Sequence, residues 1–136
     1  MARRNSSLGF LGRFGRSGDL RQLDAALRAV DLHPAVVPEG VKLTIVNLMK
    51  DAWPDAPEPP QEAYMPVAGL FAYCVVGREP FVSVNGEERL ADVETRVEAA
   101  LDDEDSLDAQ LVLLAIHSRL VSEDVVERFG LSAEGE

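Results

Sequence analysis

Between Ala63 and Gly77 the chain runs for 15 residues without a charged side chain. That is short of the roughly 20 apolar residues a helix needs to cross a bilayer, so the segment reads as a core element rather than a membrane span. A helix from about Gln61 to Val76, kinked or broken at Pro66, is apolar on nearly every side and therefore needs neighbours on nearly every side. Gly69 lets one of them come close. The competing reading is a β-hairpin, with Phe71 to Val76 and Phe81 to Val84 as strands around Gly77 to Pro80. It has few strand-favouring residues and a short second strand, so the helix is preferred.

The flanking sequence supplies the partners. Leu20, Leu23, Leu27 and Val30 recur at three- and four-residue steps behind Asp19 and Gln22, a capping-box spacing that opens a first helix, and Pro34 closes it. Pro38 opens a second helix with Val41, Ile45, Leu48, Met49 and Ala52 inward. Trp53 packs at its end, before an extended Pro54 to Pro60 connection. Asn85 and Glu88 repeat the capping box ahead of Leu90, Val93, Val97 and Leu101. Asp105 or Ser106 caps a helix bearing Leu107, Leu111, Leu114, Ile116 and Leu120. Ser122 caps a short last helix that Gly130 terminates, with Leu131 folding back. The predicted fold is all-α, an irregular bundle of about six helices in a single domain. With 136 residues, 46% of them apolar and 27% charged, the chain has the size and composition of one folded domain.

Charge divides the sequence unevenly. Residues 1–18 carry four arginines and no acid, whereas the remaining 118 hold nine basic and 24 acidic side chains, a formal minus 15. The expected organisation is a basic Gly/Arg-rich tail over 1–18 and a helical domain over 19–136, glycine at every third position from Gly9 to Gly18 opposing a stable helix in the tail. A body this acidic repels nucleic-acid phosphates. In the tail, Phe10, Leu11 and Phe14 alternate with Arg13 and Arg16, a pattern suited to docking on an acidic protein surface with rings as anchors and charges as steering groups. These five residues are the candidate partner-binding site.

No reactive constellation is found. Asp102, Asp103, Glu104, Asp105 and Asp108 are dense enough to suggest calcium, but the EF-hand spacing fails, with no turn glycine and Leu107 at a ligand position. The acids suit the positive start of the following helix instead. His33, His117 and Cys74 do not pair at metal-ligand spacing. His33 belongs to a helix stop, His117 to a helix flank, and Cys74 to the core. Phosphate-loop, dinucleotide and nucleophile-elbow signatures are absent. Leu120 to Ser132 resembles the first helix and turn of a helix-turn-helix, but only Ala-Glu-Gly-Glu follows where a reading helix should stand.

One cysteine and no signal peptide favour the reducing cytoplasm. The expected function is a non-enzymatic protein–protein interaction or assembly module, acting with a protein partner or with itself as a homo-oligomer, with no catalytic residues, metal or cofactor expected. The alternative is a bundle that holds a small apolar or amphipathic ligand inside, walled by Ala63 to Val76, Trp53 and Tyr64.

Overall fold

The computed structural model describes residues 6–52 and 61–131, with side chains described from residue 18 to 52 and from 62 onward. Seven α-helices occupy this described part: α1 (Ser6–Ala29), α2 (Glu39–Ala52), α3 (Gln61–Val76), α4 (Arg78–Asn85), α5 (Glu87–Leu101), α6 (Leu107–His117) and α7 (Glu123–Phe129), with a 3₁₀ turn at Pro34–Val36 and no strand among the described residues.

Helix α3 is the centre of the packing, touching α1, α4, α5 and α6. Val67, Ala68, Leu70, Phe71, Ala72, Tyr73 and Cys74 are all buried, as expected for a helix without a polar face. Pro66 stands inside α3 without interrupting it. It has no N–H to offer the turn before it, while its own carbonyl accepts a hydrogen bond from Arg96 Nη1 on α5 at 2.9 Å.

Helix α1 presents Leu23, Ala26 and Leu27 to this core, and Val30 in the turn that follows joins them. Its backbone passes through positions 18 and 19 without a break, so Asp19 is not the cap that its spacing with Gln22 implies. The carboxylate is instead buried, accepting from Tyr64 on α3 at 3.2 Å and pairing with Lys50 on α2 at 3.1 Å. A charge inside the body is stable only with such partners, and residues 31 and 45 positions away leave no mark on the local sequence. The helix also stops before Pro34. Asp31 adopts the left-handed conformation (φ 68°) and the Leu32 N–H returns to the Leu27 carbonyl at 2.9 Å, a hydrogen bond that closes helix C-termini.

In α2, Ile45, Val46 and Met49 are buried, whereas Ala52 is exposed. The hairpin alternative is excluded, since Phe81 to Val84 lie within α4. Pro80 sits in the first turn of α4, where its missing N–H costs nothing. Phe81 then enters the core edge-on to Tyr73, with ring centroids 5.7 Å apart. Asn85 closes α4, and Gly86 rather than Asn85 stands at the N-cap of α5. The other caps fall where the sequence placed them. Ser106 Oγ accepts from the Ala109 N–H, Ser122 Oγ from the Asp124 N–H, and Gly130 is left-handed at φ 65° with Leu131 folded back to the Val126 carbonyl.

Gly77 and Gly86 share an unusual backbone, φ 92° with ψ 180° and 165°, a region reserved for glycine at a strain of about 1–3 kcal/mol for other residues. Their surroundings differ. A β-carbon on Gly77 would come 2.9 Å from Ser122 Oγ and 3.2 Å from Asp124 Oδ2, whereas one on Gly86 meets nothing within 4 Å. Both of those oxygens are engaged, the first capping α7 and the second accepting from the Arg78 N–H at 2.8 Å. Gly86→Ala is expected to lose only the strain energy. Gly77→Ala is expected to lose about 1 kcal/mol more, the size of a helix cap. Equal losses in urea unfolding would show that α7 does not need the close approach at Gly77.

Candidate functional site

The backbone of positions 10, 11, 13, 14 and 16 lies in α1, while the side chains of Phe10, Leu11, Arg13, Phe14 and Arg16 lie outside the described residues, as does Trp53. The remaining candidates are dispersed. His33 caps the Pro34–Val36 turn, its Nδ1 accepting from the Ala35 N–H at 3.1 Å. His117 is exposed in the last turn of α6. Asp102, Asp103, Glu104 and Asp105 are exposed in the α5–α6 turn, while Asp108 turns away to form a two-pronged pair with Arg96 at 2.8 and 3.0 Å. Among the described residues no group of three or more His, Cys, Asp or Glu side chains converges as a metal site would require.

Polar side chains do meet around Glu94 of α5. Its Oε2 accepts from the Tyr73 hydroxyl of α3 at 2.8 Å and lies 2.9 Å from Arg128 Nε of α7 and 3.3 Å from Arg78 Nε of α4. Its Oε1 takes a further contact from Arg128 at 3.3 Å. The side chain is only 14% exposed. Phe129 lies edge-on to Tyr73 with centroids 6.4 Å apart, shielding the phenol from the α7 side. Such a group resembles an active centre in composition but not in chemistry. Burial, then the bond to Glu94, pushes the Tyr73 hydroxyl well above the usual phenol range, so it keeps its proton and donates. Both carboxylate oxygens are engaged by these partners. The cluster is a clasp that joins four helices.

Cys74 points the same way. Fully buried one residue further along α3, its thiol is pushed up to about 12 by desolvation, the reverse of what a nucleophilic cysteine requires.

Among the described residues an apolar groove of about 360 Å³ lies between the end of α5, the outer side of α6 and the chain after α7. Ala100, Leu101, Val112, Leu113, Ile116 and Leu131 form it, with Glu104 on its edge. Leu101 and Leu113 are 48% and 41% exposed. The periodicity of α5 puts Leu101 on the inward face. It does lie in register with Leu90, but it is the last residue of the helix, and the face continues beyond the elements that cover it. The sequence signal for Leu113 is the unbroken apolar run from Leu111 to Ile116, more than one helix side can bury. A second hollow of about 270 Å³ lies between α3, α4 and α5, with Pro66 and Gly69 beside Arg89, Asp92 and Arg96. The expected ligand walls in α3 are filled by their own packing: Tyr64, Phe71 and Tyr73 are each buried against the rest of the core.

No protein family model, curated protein or solved structure matches the chain.

The raised thiol has a measurable consequence. A group whose pKa is higher in the folded chain contributes stability that is complete below its unfolded value and is lost as pH rises toward the folded one. For Cys74 the unfolded value is 9.0 and the folded one about 12, so stability should fall from pH 9 upward by at most ~1.4 kcal/mol per pH unit. Tyr73 joins from about pH 10. In urea titrations at pH 8, 9 and 10, Cys74→Ala should weaken much less than the parent chain. Identical pH slopes for the two chains would refute the assignment. Thiol reagents should likewise react with Cys74 only at the rate of unfolding.

Proposed function

We propose that this protein is a non-enzymatic interaction or assembly module that acts in the cytoplasm and associates with copies of itself through its basic N-terminal segment. The observation that supports this most directly is the exposed apolar pair Leu101 and Leu113, set beside a turn of exposed acids, on a chain whose first 18 residues carry four arginines and no acid. Apolar area left in water on a small domain marks a contact surface more often than a reaction site. The clasp around Glu94 supports the same reading, since Tyr73, Glu94 and Arg128 tie three helices to one another. An interior ligand is the weaker alternative because the apolar walls of α3 already pack against neighbouring helices.

Sedimentation velocity over a range of concentrations tests the proposal. The full chain should sediment as an oligomer at micromolar concentration, and deletion of residues 1–18 should give a monomer. Changing Phe10 and Phe14 to alanine should reproduce most of that loss, while changing Arg13 and Arg16 should matter mainly at low salt, where exposed charges are least screened. A full chain that stays monomeric throughout would overturn the assembly reading.

A further inference from the structure

The α5–α6 groove matches the N-terminal segment in both of the properties that decide docking. It is apolar where Leu101, Val112, Leu113 and Ile116 line it, and its edge is acidic. Glu104 borders it, and Asp102, Asp103 and Asp105 stand exposed in the same turn. From Val97 to Ile116 there are six acids and no lysine or arginine. Among them Asp108 is held by Arg96. Residues 8–16 read Leu-Gly-Phe-Leu-Gly-Arg-Phe-Gly-Arg, two rings and two leucines among arginines.

Helical register indicates which copy supplies the segment. α1 is helical from Ser6 to Ala29, and with each residue turning by about 100°, positions 10, 11 and 14 share one side of it. Positions 23, 27 and 30, which enter the core, lie about half a turn round. On the backbone of α1, positions 10, 11 and 14 and the positions buried in this body therefore fall on opposite sides of the helix axis. We infer that residues 8–16 of one chain dock in the Leu101–Leu113 groove of a second copy, Phe10 and Phe14 against the leucines and Arg13 and Arg16 toward the acidic turn. In a two-fold dimer the contact occurs twice. This rests on the assembly reading above and specifies its surface.

The test uses full-length chains in sedimentation velocity, with circular dichroism confirming unchanged helix content. Leu101→Asp with Leu113→Asp should weaken self-association about tenfold or more, as loss of a buried anchor does. Glu104→Arg, which removes no apolar surface, should weaken it at low salt and have less effect at high salt. An equimolar mixture of the groove variant with Phe10→Ala/Phe14→Ala should recover a one-to-one dimer, because one partner keeps an intact groove and the other an intact segment. If the parent associates and the groove variant associates equally well, the docking site is wrong while the assembly reading survives. Loss in both variants without recovery on mixing also overturns the pairing, because it places segment and groove in separate contacts. A parent that is monomeric at every concentration overturns both.

Discussion

The organisation of this protein follows from α3 having no polar side. A helix of that kind cannot lie on a surface, so other helices must enclose it, and α1, α4, α5 and α6 all do. Enclosure leaves a second problem, because α3 also carries two phenols, and a buried hydroxyl without a partner costs about 1–3 kcal/mol. Each is met by a carboxylate from a different helix, Tyr64 by Asp19 of α1 and Tyr73 by Glu94 of α5. Those carboxylates in turn need cations, and Lys50, Arg78 and Arg128 provide them. Two of the polar ties of the fold thus start from the tyrosines of this apolar helix.

What could be read from the sequence is the part governed by local rules. The core helix, the inward stripes of α1 and α5, the caps at Ser106 and Ser122 and the left-handed Gly130 all depend on residues within a few positions of one another, and the sequence carries them openly. The cap at Asp19 failed because the same aspartate serves a different purpose. Its partners lie on α2 and α3, and a helix passes straight through it. Asn85 failed for a related reason: α4, which the strand-like composition of Phe81 to Val84 concealed, ends there, and the glycine after it begins α5.

The groove was less legible than the clasp was misleading. Leu101 obeys the periodicity of α5, and only the positions of the other helices reveal that nothing covers it. Glu94, one acid among the many on α5, gives no sign in sequence that it gathers a phenol and two guanidinium groups. Its contact with Arg128 spans 34 residues and that of Tyr73 spans 21, distances over which no spacing rule operates. The acids at 102–105 were conspicuous and remain solvent-exposed, while Asp108 was drawn off by Arg96. Density of like charge in sequence says little about convergence in space.

The position of α7 has a consequence for the order in which the fold can be completed. Its first residues are tied to the α3–α4 junction, the Ser122 N–H to the Cys74 carbonyl at 2.7 Å and Asp124 to the Arg78 N–H. Contacts that span so much chain pay their loop-closure entropy late. On a ribosome, Glu94 emerges well before Arg128, and until that arginine is made the carboxylate has only Tyr73 and Arg78 to hold it. The second guanidinium on Glu94 and the ring of Phe129 beside Tyr73 thus arrive together, with the docking of a single seven-residue helix.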